Sequence, residues 1–413
     1  MNYSKKYVFT LPGITAALMF ACGPFMFATI GGRGLFLYLA ILFALSIAVQ
    51  AFFIDSKHAL SLVPNDTVNT VITPFLLCLL WQLITFLWSP VFSFSAMYTY
   101  MKTVLFFVFL SLPKYTKADK NLILFAQTAV IVAATVILLT HGVTSSAGGA
   151  TTDRLTFSFF GVEQDPNYLA FFFVAPFVAL LSLTTSKNRR IVVRIGAVAL
   201  MAFLSFGILS TGSRGALLGI AAAFIVFFAR KTQMRPWKFL LLTLAAIALA
   251  IVLLKAVSTF LPESIADRFT LDNILENGGS GRTDIWKRYI DKLLKNPLYL
   301  LFGAGNSSSV SVNSSAAHNY ILECWFEYGL VGVACLVFFF FVIFRSVLRV
   351  KNNCSFAIII SALVMSMFLS VSRMLPFWLC ITLANILHLP EKDDSPKLKL
   401  KKRSAPNESQ QPE

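Results

Sequence analysis

Twelve stretches of the chain meet or approach the roughly 20 mainly apolar residues that a helix needs to cross a bilayer. They are 11–30, 35–54, 71–88, 96–112, 121–140, 167–185, 191–209, 215–229, 239–258, 319–344, 355–371 and 374–389, the last two divided by "SRMLP". No water-soluble core accommodates so many. The expected fold class is an all-α integral membrane protein of about 12 transmembrane helices, because only helices and closed barrels satisfy every backbone polar group in lipid. Composition agrees: 57% of the residues are hydrophobic and 13% charged.

Lys and Arg set the expected orientation, since short basic loops stay on the cytoplasmic side. With a cytoplasmic N-terminus the inner segments, counted together with Arg194, hold 23 of the 35 Lys and Arg, among them "KYTKADK", "SKNRR", "RKTQMRPWK" and "RSVLRVK". Both chain ends then lie inside. The net charge of +16 is mostly this topology signal. Binding to anionic membrane lipids accounts for the tail "KLKLKKR", and nucleic acid is not an expected partner.

The expected organisation is N-terminal helices over 1–140 and central helices over 141–258, a large extracytoplasmic loop over 259–318, C-terminal helices over 319–390, and a disordered basic tail over 391–413. "TSSAGGATTD" reads as a flexible connection. The six cysteines form no C-x-x-C pair, so neither a disulfide framework nor a zinc site is implied. Within the large loop, Ile285, Trp286, Tyr289, Ile290, Leu293 and Leu294 make one apolar helical face. Lys287, Arg288 and Lys292 fall opposite, as in a helix lying in the interface with its basic side toward headgroups.

Chemistry concentrates at a few outward positions. Arg214 sits in "STGSRGALLG", an outward turn between two apolar runs. An Arg at the bilayer centre costs about 2.5–3.5 kcal/mol on insertion scales. It either snorkels to headgroup phosphates or, with the Ser213 hydroxyl beside it, offers a forked donor to a phosphate or pyrophosphate. Arg282 follows "GGSG", where flexible backbone can approach a ligand. In "AAHNYILECWFEYGLVG" the spacing places His318 in the first turn of a helix, where the positive end of the dipole keeps imidazole neutral and fit to act as a base; a cap or headgroup contact is the plainer role. Glu323 and Glu327 lie one turn apart and call for cations, with Arg214, Arg282, Arg373 and Lys102 on the same side. Asp165 before Pro166 reads as a helix cap, beside which Asn167 could bond a sugar. "LLFGAGNSSS" reads as a turn leading back to the tenth span.

Three segments in order, "STGSRGALLG", "GRTDIWKRYIDKLLKNPLYLLFGAGN" and "AHNYILECWFEYGLVG", resemble the successive signatures of the O-antigen ligase and polymerase family of membrane glycosyltransferases, over roughly residues 160–345. The resemblance implies transfer of a glycan from an undecaprenyl-pyrophosphate-linked oligosaccharide to an acceptor, at the periplasmic face of the bacterial inner membrane, without nucleotide sugar, metal or other cofactor. It assigns Arg214 and Arg282 to the donor pyrophosphate and His318 to the acceptor end. The residues themselves add Ser213, Asn319, Glu323, Asn167 and Arg373 as expected substrate-binding positions. Polymerisation of repeat units is placed slightly ahead of ligation to lipid A core; transfer to a protein stays open. A transporter or flippase would instead predict two related halves with broken spans, whereas the outer charge here gathers around one loop.

Overall fold

The computed structural model describes residues 9–26, 28–54, 66–141, 154–156, 158–159, 162–163, 165–235, 237–238, 240–241, 243–244, 263–270 and 278–389. The segment "TSSAGGATTD", most of the window 239–258 and the basic tail lie outside them. Among the described residues the fold is an all-α membrane protein with two short hairpins, 29–34 and 158–163. Among the described residues, seven helices are long and apolar enough to cross a bilayer: Leu35–Ile54, Thr70–Trp88, Lys117–Ile137, Pro166–Thr184, Ile191–Ser210, Arg214–Thr232 and Tyr320–Val350.

The remaining windows depart from uniform spans in informative ways. The first, expected over 11–30, stops as a helix at Ala21, because Gly23-Pro24 breaks the ladder and the chain turns into the hairpin. The 96–112 window forms the helix Phe94–Ser111. The last two form Asn353–Ser366 and Leu375–His388, each of 14 residues. At 1.5 Å per residue these reach only about 21 Å. The turn between them, 367–374, is therefore drawn down into the protein, where it meets the polar groups described below.

Aromatic packing fastens the bundle. Phe75 meets Phe107, Phe339 and Trp378 at ring-centroid distances of 4.6, 5.3 and 5.5 Å, uniting four helices distant in sequence. Such pairs add about 0.5–1.5 kcal/mol each beyond their area burial. The helix Leu11–Ala21 is fixed by the fully buried Asp119. This carboxylate accepts from Thr10 N, Thr10 Oγ1 and Thr116 N, each at 2.9 Å, so donors at two helix starts compensate the buried charge.

The helix Tyr320–Val350 is broken at Gly329, whose φ of 66° and ψ of −172° only glycine adopts readily. Residues 303–305 fill the break. Ala304 N and Gly305 N donate to the carbonyls of Phe326 and Glu327, at 2.7 and 3.1 Å, while Trp81 Nε1 donates to Tyr328 O at 2.8 Å. "LLFGAGNSSS" is thus more than a returning turn: it supplies the donors that a broken helix lacks.

Candidate active site

The helix Ile191–Ser210 ends where Gly212 takes φ +61°, and the helix Arg214–Thr232 begins immediately afterwards, capped by Ser213, which accepts from Ala216 N. The reversal is tight because the second helix lies close against Asn353–Ser366. A Cβ on Gly219 would stand 2.5 Å from Met365 Cγ, and one on Gly215 3.2 Å from Phe368 Cβ. "GALLG" is a small-xxx-small seam of the kind that lets membrane helices approach. It holds Arg214 at the first helical position.

Four arginines converge on this turn. Arg154 donates from Nε to Thr211 O at 2.8 Å and from Nη2 to Asn167 Oδ1 at 3.1 Å. Arg268 donates to Gly212 O at 3.2 Å, and its own carbonyl accepts from Arg214 Nε at 2.6 Å. Arg282 arrives from the helix Gly278–Lys295, directly after Gly281 at φ +71°, and feels the charges of Arg214 and Arg268. The carboxylate acting on Arg154, Arg268 and Arg282 is Asp165, which caps the turn Pro166–Leu169 and accepts from Asn167 N at 2.7 Å.

The charges of these arginines act on one another. Burial first, then the charge of Arg268, pulls the Arg154 guanidinium down to about 10, against the opposing effect of Asp165. Arg282 is lowered by burial and by Arg214 and Arg268. The carbonyls closing the helix Ile191–Ser210 offset part of the repulsion for Arg154 and Arg268, whereas Arg214 stands at the positive end of its own helix. An anion with several oxygens would relieve all four.

His318 borders the cluster. It lies not in the first helical turn but before the cap: Asn319 is the N-cap, accepting from Leu322 N at 3.0 Å, and His318 precedes it at φ +48°. Left-handed backbone at a non-glycine residue costs about 1–3 kcal/mol and persists where the surroundings enforce it. The imidazole is lowered from 6.5 by burial and then by Arg282, with Asp165 opposing. The neutral ring expected from a helix dipole is thus produced mainly by burial and a neighbouring arginine.

Behind His318 the two glutamates part company. Glu327 accepts from Arg373 Nη2 at 2.8 Å and from Ser309 Oγ at 2.6 Å, which ties the 308–313 segment to the 367–374 turn. Glu323 stands beside the hydroxyls of Ser370 and Ser372. The Lys102 side chain lies outside the described residues. Arg288 and Lys292, expected to face headgroups, instead donate to Ser315 Oγ and Val312 O. The apolar face of their helix is divided: Tyr289 and Leu293 are buried against Phe326, while Ile290 and Leu294 point outward.

The structure therefore brings Arg214, Arg282 and His318 around one site, with Ser213, Asn319 and Asn167 committed to caps and to Arg154, and Glu323 and Arg373 in the layer beneath. Sequence reasoning passed over Arg154 and Arg268, whose only signal was being lone cations in outward segments, and it passed over Ser370. No curated protein matches the chain. Residues 198–337 match the family model described as O-antigen ligase, a segment that includes Arg214, Arg282, His318, Glu323 and Glu327 but not Arg154, Asn167, Ser370 or Arg373. Over that segment, about a third of the chain, the protein is similar to the O-antigen ligase family.

Proposed function

We propose that the protein transfers a glycan from an undecaprenyl-pyrophosphate donor to a sugar hydroxyl at the outer face of the bacterial inner membrane. In this reading the chain crosses the membrane 12 times with both ends inside, and 259–318 lies outside. The observation that carries it is the convergence of Arg154, Arg214, Arg268 and Arg282 beside a His318 held neutral.

Arg214 and Arg282 grip the donor diphosphate, with Arg154 and Arg268 completing its surroundings. The acceptor hydroxyl attacks the anomeric carbon, the new C–O bond forms as the bond to the phosphate oxygen breaks, and the electron pair leaves on the diphosphate. Guanidiniums stabilise that growing charge. His318 takes the hydroxyl proton. Ser213, Asn167, Asn319, Glu323 and Arg373 frame the sugars, directly or by holding the groups that do. No step calls on a metal.

His318→Ala should lower turnover about 10²–10⁴-fold, the usual contribution of a general base, with donor binding nearly unchanged. The pH profile supplies the sign. A base works unprotonated, and His318 is lowered from 6.5, so kcat/KM should hold at neutral pH and fall on an acid limb below that value. Bound diphosphate favours imidazolium, so the kcat limb should lie higher than the kcat/KM limb. A His318→Ala enzyme that kept both its rate and its acid limb would leave this residue no role in proton transfer.

The acceptor is most simply a second lipid-linked repeat unit, which makes the protein a polymerase; ligation to lipid A core, or transfer to a protein, uses the same donor chemistry. Purified protein given lipid-linked oligosaccharide alone should build longer chains. A product appearing only when lipid A core is added would identify a ligase instead.

A further inference from the structure

Ser370 belongs to none of the elements just assigned to the reaction, yet it bonds directly to the backbone of His318, which does. It lies on the 367–374 turn and is 8% exposed. Its Oγ accepts the backbone N–H of His318 at 3.0 Å, and its carbonyl accepts Tyr168 Oη at 2.9 Å. The buried Glu323 lies near the same hydroxyl. The turn is held at its C-terminal end: Ser372 O accepts from Trp378 Nε1 at 2.9 Å and Arg373 pairs with Glu327.

His318 occupies left-handed backbone, which a residue with a side chain adopts only under constraint. Among the described contacts, the Ser370 hydroxyl is the one made to the His318 backbone N–H, and that torsion decides where the imidazole points. We propose that Ser370, with its backbone held by Tyr168, is a positioning residue that fixes the left-handed conformation of His318 and so aims its ring at the arginine cluster. This rests on His318 acting as the base.

Ser370→Thr and Ser370→Val add the same bulk and differ in the hydroxyl, which separates the hydrogen bond from packing. Each is purified at matched abundance and assayed for transfer from lipid-linked oligosaccharide, alone and combined with His318→Ala. Ser370→Val should lower kcat about tenfold or more, the usual consequence of leaving a buried donor unmet, with the donor KM within about twofold; Ser370→Thr should stay near the wild-type rate. On the His318→Ala background Val and Thr should be equal, because the group they position is gone. A Val enzyme as fast as Thr, or a Val loss that persists undiminished without the imidazole, overturns the inference. A fast His318→Ala enzyme would instead bring down the base assignment and this inference with it, a result distinguishable from a slow His318→Ala beside a fast Ser370→Val.

Discussion

Arg214→Lys is expected to lose glycan transfer nearly as completely as Arg214→Ala. Lysine keeps the charge, but it lacks both the fork that engages two phosphate oxygens and the Nε–H that reaches Arg268 O at 2.6 Å. That contact orients the guanidinium plane and joins the 267–269 turn to the start of the helix Arg214–Thr232. An ammonium at this position would add charge without direction. Losing one well-placed donor to a developing oxyanion costs about 10²–10³-fold in turnover. Arg282→Lys should behave in the same way, whereas Lys287, exposed on the far side of its helix, should exchange with Arg at little cost. The measurement is transfer at matched membrane abundance with saturating acceptor. Near-normal turnover by Arg214→Lys would make this arginine a headgroup anchor and move the diphosphate toward Arg154 and Arg268.

What the sequence disclosed and what it withheld follow from the range of the interactions involved. Hydropathy is summed locally, so it found the long spans, but it ran through Gly23-Pro24 because both neighbours are apolar. Charge in an apolar setting is also a local signal, and it picked out Arg214, while the glycines before Arg282 and the helix start beside His318 marked those two. Arg154 and Arg268 sit in loops without periodicity, and they matter only because the chain returns to the carbonyls of Thr211 and Gly212 from 57 and 56 residues away. Ser370 reaches His318 across 52 residues, and Glu327 meets Arg373 across 46. Glu323 and Glu327 were legible as a pair in need of partners; which partner each takes depends on how the 367–374 turn descends between two short helices. The cap at Asp165 was readable because Pro166 follows it directly.

Gly329→Ala should cost more folded protein than any substitution in the arginine cluster. Its φ of 66° and ψ of −172° lie where only glycine is at ease, and a methyl there would stand 2.2 Å from Leu301 O and 2.3 Å from its carbon. Gly303 faces it in the same backbone region, with φ 83° and ψ 164°, and a methyl on it would stand 2.3 Å from Glu327 O. Two backbones therefore touch where neither can yield by turning a side chain. The conformational penalty alone is about 1–3 kcal/mol; parting the strands also strips donors from the Phe326 and Glu327 carbonyls, about 1–3 kcal/mol each when buried. The damage should reach the site, because the same segment leads to Ser309, whose hydroxyl shares Glu327 Oε1 with Arg373. Gly329→Ala and Gly303→Ala should each lower the midpoint of thermal unfolding in detergent and the yield of monodisperse protein, and the folded remainder should turn over slowly. Gly196, which has open space around it, is the control and should tolerate alanine. Wild-type stability in Gly329→Ala would mean that the helix passes this point without the break, and that residues 303–305 are not what completes it.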